Sequence, residues 1–268
     1  MEERQDEQRM NCRIIDIHTH IYPVALARRA MEVTGHENDD FKKLPIRENL
    51  LARMREAGVD LSVNLPVVSK PQNQGEVNRF AKEAARKNII SFGGLHPDCE
   101  NVIEELEKLK DMEMAGIKFH PPFQKVHLDD PKYEEMWRKI NQLGFPVLIH
   151  MGTARIVRPY DLYPSGIRKI LKFAPDIPII MAHMGSFCMM KNPDEDLENL
   201  PENVFIDTAM SAELEEAGEF EEIIRRFGTN RVLYGSDFPY GTQKAAIARI
   251  KDSGFTDSEK EDMKSEAK

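Results

Sequence analysis

Short apolar, β-branched runs alternate along the chain with longer stretches in which apolar and charged positions follow a helical period. The short runs are Arg13–Ile17, Leu61–Val67, Ile89–Leu95, Ile117–His120, Val147–His150, Ile177–His183, Asn203–Asp207 and Arg231–Tyr234. Continuous apolar runs of this length suit strands covered on both faces, as in a parallel sheet. Between them the pattern predicts helices over Arg47–Ala57, Glu76–Lys87, Asn101–Met114, Tyr133–Leu143, Gly166–Phe173 and Leu214–Phe227, a short one at Asp194–Asn199, and a last one at Lys244–Lys251. Gly58, Gly116, Gly144 and Gly228 stand where helix C-termini favour a left-handed residue. Strands that each lead into helical or partly helical sequence predict an α/β fold, the (β/α)8 or TIM barrel. No internal repeat or Ser/Gly linker divides the chain, so one domain is expected over residues 13–268, behind a flexible segment 1–12. An open dinucleotide-type sheet is disfavoured, because the turn after the first run, His18-Thr19-His20-Ile21-Tyr22-Pro23, lacks glycine. The first connection, Thr19–Pro45, is long, with helical character over Val24–Val33, as expected of a binding loop.

Polar residues that buried strands should not tolerate collect at the ends of these runs. The first reads Asp16-Ile17-His18-Thr19-His20, and strand alternation predicts that Asp16, His18 and His20 point together into the barrel mouth. The fourth ends Lys118-Phe119-His120, the fifth at His150, the sixth at His183, and the eighth leads into Gly235-Ser236-Asp237-Phe238-Pro239. The intervals from Lys118 to His150 and from His150 to His183 are 32 and 33 residues, one βα unit each. Carboxyl ends of barrel strands converge on the catalytic face, so these dispersed groups should meet there. A lone His-x-His pair, or one strand-end histidine, is as well explained by a hydrogen-bonded core residue. Five ionisable groups at matching strand ends are not, because burying them without a cation is costly. Three imidazoles and a carboxylate make a sound shell for Zn2+ or a similar divalent ion, with one position left for water.

Composition narrows the partners. The 268 residues carry a formal net charge of −9, which argues against nucleic-acid binding. Cys12, Cys99 and Cys188 are far apart and odd in number, fitting neither a disulfide framework nor a thiolate zinc knot, so packing roles are expected. Met1–Met10 has no secretory apolar core, and the longest apolar runs are far short of the ~20 residues of a membrane span. The expected address is cytoplasmic, with no membrane partner; a homo-oligomer is compatible with the sequence.

The set Asp16-Ile17-His18-Thr19-His20, Gly116-Ile117-Lys118-Phe119-His120-Pro121, Ile149-His150, Ala182-His183-Met184-Gly185 and Gly235-Ser236-Asp237-Phe238-Pro239 resembles the amidohydrolase superfamily. It looks most like the amidohydrolase-related branch that also contains aminocarboxymuconate-semialdehyde decarboxylase and related carboxy-lyases. The likeness spans Ile14 to Pro239 and is most specific in the first, fifth, sixth and eighth strands. It implies a metal held by His18, His20, His150 and Asp237, with His183 close to it or bound. The chain departs from that pattern at Met263–Lys268, where the branch usually carries an Asn-Ala pair and an Arg-Leu, so a shortened closing helix is expected. Similar two-metal members bridge their ions with a carbamylated lysine at the end of the fourth strand, where Lys118 stands. The branch it resembles is mostly mononuclear, so one ion per chain is expected.

The implied activity is hydrolysis of a small-molecule C–N or ester bond by metal-activated water. The alternative is non-oxidative decarboxylation of a small carboxylic acid at the same site. Asp237 and His183 are the expected catalytic residues, Asp237 moving the proton and His183 polarising the bond under attack; Asp16 should support the first-strand histidines. Lys118, His120, Arg155 and Arg158 are the candidate substrate residues, and arginine forks suit an anionic small molecule. Gln124, His127 and His96 are further candidates for the pocket, with Tyr22 and Phe238 as apolar walls, while His36 is expected at the surface.

Overall fold

The computed structural model describes residues 14–265, apart from 36–39, 41–42, 87, 155–156, 187–196, 198 and 212–216. Eight strand positions form the barrel. They are β1 (Ile15–Thr19), β2 (Leu61–Asn64), β3 (Ile89–Ser91) continued after Phe92 by β4 (Gly93–Gly94), β5 (Ile117–Phe119), β6 (Val147–Ile149), β9 (Ile179–Met181), β10 (Val204–Asp207) and β11 (Val232–Leu233). All neighbours pair in parallel, in the orders β1-β2-β3 and β11-β10-β9-β6-β5-β4. The seam closes between β11 and β1: Ile17 N donates to Tyr234 O at 3.0 Å, Asp237 N to His18 O at 2.9 Å, and His20 N to Phe238 O at 2.7 Å. The expected (β/α)8 barrel is the observed fold. The remaining strands, β7 (Gly152–Ala154) and β8 (Val157–Leu162), form an antiparallel hairpin in the connection after β6.

Register sorts the side chains into two layers. Lys118 pairs with Leu148, and Leu148 with Ile180, so these three share one level and one face. Leu148 and Ile180 belong to the inner cluster with Val63, Leu65, Phe92 and Ile17. Lys118 therefore points into the barrel, while its neighbours Ile117 and Phe119 pack outward into the larger core shared with the helices. Trp137 anchors that outer layer, its ring 5.5 Å from Phe119 and its indole N–H bonded to Leu128 O.

Several boundaries shift from expectation. The helix expected at Glu76–Lys87 is Gln74–Ala84, because Arg86 instead exchanges backbone hydrogen bonds with Ile89. The next is Val102–Asp111 instead of Asn101–Met114, and Pro164–Ile170 replaces Gly166–Phe173, starting on a proline, as the first turn allows. Gly58 and Gly144 do cap helices with left-handed φ of 75° and 69°. Gly116 does not; Glu113 takes the left-handed turn, at φ 53°. Gly116 is small for another reason: a Cβ there would lie 2.6 Å from the Phe92 ring and 2.7 Å from Pro146 O. The closing helix, Asp257–Lys264, is short but docked, with a Thr256/Glu259 capping box and a buried Met263 whose carbonyl accepts Tyr234 N–H at 2.8 Å. Segment 1–12, His36, Cys12, Cys188 and four of the six residues of Asp194–Asn199 lie outside the described residues.

Candidate metal centre

At the carboxyl ends of the strands, His18 Nε2, His20 Nε2 and Asp237 Oδ1 form a nearly equilateral triangle with edges of 3.2, 3.3 and 3.2 Å. Asp237 reaches it from a backbone in the left-handed region, φ 59°, four residues beyond β11. Backbone strain of this kind persists where surrounding structure over-determines it, and His183 and Met184 share it at φ 57° and 55°. Gly235 lets the segment approach β1, since a Cβ there would come within 2.9 Å of His18 Cβ.

The far nitrogen of each imidazole sets its tautomer. His18 Nδ1 donates to Asp207 Oδ2 at 2.7 Å, and His20 Nδ1 donates to Leu65 O at 2.7 Å, because those partners can only accept. Both Nε2 atoms are thus left as lone pairs aimed at one point. Donor atoms around a divalent ion at about 2.0–2.2 Å lie roughly 3.0–3.5 Å apart, so the triangle fits such an ion. The outer hydrogen bonds are the kind that orient metal-binding imidazoles.

The other histidines form an array beside the triangle. His183 Nε2 and His150 Nδ1 are 2.9 Å apart, and His183 Nδ1 faces Ala209 O at 3.4 Å. A neutral His183 that donates to Ala209 O must accept from His150, which leaves His150 Nε2 a lone pair. That atom is buried without a partner among the described residues. His150 stacks on His120 at 3.9 Å and 9°, and His120 in turn stacks on Phe123.

Electrostatics keep these imidazoles neutral. Burial, then the charge of Lys118, holds His18 and His120 well below the usual imidazole range; burial and His120 do the same to His150, and burial lowers His183. Burial pushes the Asp237 carboxyl up, while the surrounding imidazoles, His18 first, pull it down to about 2 to the extent that they carry a proton. Lys118 is only 1% exposed. Burial drops its ammonium from 10.5 to about 8, and Asp207 and Asp237 offset part of that through space.

The structure thus brings His18, His20 and Asp237 together, while among the described residues no ligand-spaced group within 4.8 Å includes His150. A second such group, His18, His183 and Asp207, reuses the His18–Asp207 pair that supports the first. Asp16 corrects the alternation argument. Its carboxylate accepts from Ser236 Oγ at 2.6 Å, Ser236 N at 3.0 Å and Gln243 Nε2 at 2.7 Å, and Gln243 also reaches Ser62. Asp16 therefore faces the helix layer, and Ile17 packs inside, because the β1–β2 register shifts between Asp16 and Thr19. Ring support for His18 comes from Asp207, which sequence reading passed over although it too is a carboxylate ending an apolar run. The Leu65 carbonyl left no signal to read.

Gln124 does not simply line a pocket: it donates to Val68 O and Leu95 O at 3.1 and 2.6 Å and accepts His120 N–H at 2.9 Å. His96 instead accepts the Asp98 N–H, and His127 packs on Tyr160 of β8. Tyr22 is no mere apolar wall, because it hydrogen-bonds Tyr240, whose ring lies 6.0 Å from His20. Arg155 is outside the described residues, and Arg158 falls within β8.

A barrel whose mouth focuses imidazole and carboxylate lone pairs on one point has the build of a metal-dependent enzyme. The chain belongs to the amidohydrolase family, whose model it matches over residues 15–266. No curated protein matches it. Among solved structures it is similar to a 2,6-dihydroxybenzoate decarboxylase complexed with 2,6-dihydroxybenzoate (TM-score 0.72, 16% identity, 95% of this chain and 97% of that one). It is similar to a dihydroxybenzoic acid decarboxylase from a Polaromonas species with bound manganese and 2-nitroresorcinol (0.72, 16%, 94% of each chain). A third is a 2-pyrone-4,6-dicarboxylic acid hydrolase, so described from Pseudomonas putida (0.70, 15%, 96% of each chain). No helix among the described residues is long and apolar enough to cross a membrane.

Proposed function

We propose that this chain is a metal-dependent hydrolase cleaving a C–N or ester bond in a small organic anion. The observation that carries the reading is the triangle of His18, His20 and Asp237, with both imidazoles locked in the metal-binding tautomer. A divalent cation bound there supplies the charge that polarises a substrate oxygen and acidifies water. The chain's own groups do the rest. Asp237, ionised at neutral pH, takes a proton from the attacking water and passes it to the leaving group. His183, between the triangle and His150, would polarise the bond under attack in its protonated form, which burial opposes and Asp237 and Asp207 favour through space. His150, with a buried Nε2 that has no partner among the described residues, is the candidate for the remaining ligand, although it stands outside the ligand-spaced group of the other three. Lys118 offers a buried cation to a substrate carboxylate, with His120 beside it, and Arg155 and Arg158 stay substrate candidates on the sequence alone. One ion per chain is favoured, since the second ligand-spaced group shares His18 with the first, and Zn2+ suits two imidazoles and a carboxylate. The activity belongs to one domain over residues 13–268, and the scattered cysteines support a cytoplasmic address.

The second reading, non-oxidative decarboxylation, is favoured by Lys118 itself, a buried ammonium near pKa 8 able to give a proton to the carbon that loses CO2. Two of the similar structures are decarboxylases of aromatic acids. Metal quantitation on the purified chain, with a panel of amides, lactones and aromatic acids and CO2 trapping, tests both. One equivalent of metal and hydrolysis without CO2 is expected. Release of CO2 would select the second reading, two equivalents would overturn the single ion, and a chain that binds no divalent metal would refute both.

A further inference from the structure

Outside the barrel mouth, a cavity of about 480 Å3 opens on the flank between the helices Arg47–Ala57 and Gln243–Lys251. Its apolar surface is Met31, Ala57, Phe238 and Pro239. Around that surface stand three cations, Lys43, Arg53 and Lys244, against one acid, Glu56. Glu56 is spent on Arg53, at 2.8 Å, and among the described residues neither Lys43 nor Lys244 pairs with a carboxylate. In a chain of net charge −9, this is a local inversion of sign. Apolar walls with a few convergent charges, at this volume, match the usual make-up of a small-molecule site.

The geometry points to a second binding site here, for a small amphipathic organic anion, whose occupancy bears on the metal centre. The apolar body lies against Phe238 and Pro239, and the anionic head meets the cations. The ligand class follows from that pairing: a carboxylate or sulfonate on an aromatic or aliphatic body, since a bare inorganic anion would leave the apolar surface uncovered. The coupling follows from chain connectivity. Phe238 is next to Asp237, and its carbonyl accepts the His20 N–H at 2.7 Å, so one cavity wall is bonded to two corners of the triangle. Energetic coupling of this kind is reciprocal, so a ligand in the cavity must alter metal affinity if the metal alters its own.

The probe is 8-anilinonaphthalene-1-sulfonate, compared with N-phenyl-1-naphthylamine, which keeps the rings and lacks the charge; inorganic phosphate is the third arm. Fluorescence titration of the full chain should show one saturable sulfonate site. Its Kd should rise at least ten-fold in the double variant Arg53→Gln/Lys244→Gln, while binding of the neutral analogue is unchanged and phosphate fails to compete. The pair Lys43→Gln/Lys244→Gln, which leaves the Arg53–Glu56 contact intact, should cost at least three-fold. Lys118→Met should leave the Kd as it is, because that lysine serves the barrel mouth. Unchanged sulfonate affinity in both double variants, or its loss in Lys118→Met alone, would place the probe elsewhere and overturn the site. Displacement by phosphate would overturn the ligand class. Saturating probe should also shift the Mn2+ Kd, read from the paramagnetic resonance of free Mn2+, at least three-fold in the wild type and not in Arg53→Gln/Lys244→Gln. An unmoved Mn2+ Kd would overturn the coupling.

Discussion

Replacing Lys118 by methionine should make the metal-free protein more stable and its substrate binding worse. Methionine keeps most of the side-chain length inside the barrel, at the level of Leu148 and Ile180, and removes only the charge. Burial lowers the ammonium from 10.5 to about 8, which corresponds to roughly 3 kcal/mol of folding free energy given up at pH 7 to keep the proton on. Relieving that cost should raise Tm by roughly 5–10 °C in a chain of this size. The sign with pH is fixed by linkage. Between about pH 8 and 10.5 the unfolded chain holds the proton more tightly than the folded one, so wild-type stability rises across that window. The advantage of the variant, constant below pH 8, should shrink over the same interval. Thermal melts of both proteins from pH 6 to 10.5, with chelator present, measure this directly. On the functional side, losing a charge-assisted contact to the substrate anion should raise KM about 10–100-fold, and wild-type KM should climb above pH 8 as Lys118 loses its proton. A variant that melts lower than wild type and no longer binds metal would show that Lys118 is a structural partner of the ion, and the reasoning would be refuted.

Asp207→Asn should weaken divalent-metal affinity about 10–100-fold with the fold retained, because His18 loses the carboxylate that fixes its tautomer; competition titration against a chromogenic chelator reads it. Asp237→Asn should abolish turnover while circular dichroism stays unchanged, and an active, well-folded variant would remove Asp237 from the mechanism. Gln124→Ala should lower stability by about 3 kcal/mol in urea denaturation, since it strands the His120 N–H and the Val68 and Leu95 carbonyls in a buried place. Gly116→Ala should cost about 2 kcal/mol or more by the same assay, as its methyl would meet the Phe92 ring and the Pro146 carbonyl.

The barrel could be read in the chain because its strands are short apolar runs, several of them closed by a residue that does not belong in a core. The same rule identified His18, His20 and Asp237, three points of a triangle drawn from opposite ends of the sequence. What escaped it has identifiable causes. Strict alternation assigned Asp16 to the mouth, yet alternation holds only while register holds, and β1 slips against β2 at that point. The β7–β8 hairpin escaped because its strands pair with each other and carry no long apolar run. Gly116 looked like a helix cap because glycines at helix ends and glycines at crowded strand starts leave the same letter in the sequence. The support for His20 is a backbone carbonyl, which every residue possesses, so nothing in composition or spacing could single out Leu65.

The triangle also explains why its residues are so far apart in the chain. His18 and His20 belong to the first strand and Asp237 follows the last, so the three atoms meet only when the barrel closes along the β11–β1 seam. That seam is held by few backbone bonds, and Asp16 crosses it to Ser236 and to Gln243 on the outer layer. A cation at the triangle would therefore act as a seam fastener as well as a reagent. Ions that bind only the closed state stabilise it by mass action, about 2.7 kcal/mol when present at a hundred times their Kd. Closure and metal binding are then one linked equilibrium, and the left-handed backbone at Asp237 is strain that this linkage can offset. The carboxylate inside the seam, Asp16, makes the fastening mutual: burial raises it to about 6 despite four donors, so a well-formed closure at neutral pH requires those donors to stay in place. The residues that hold the barrel shut and the residues that hold the ion are neighbours for that reason, and a change to either set should be felt in both.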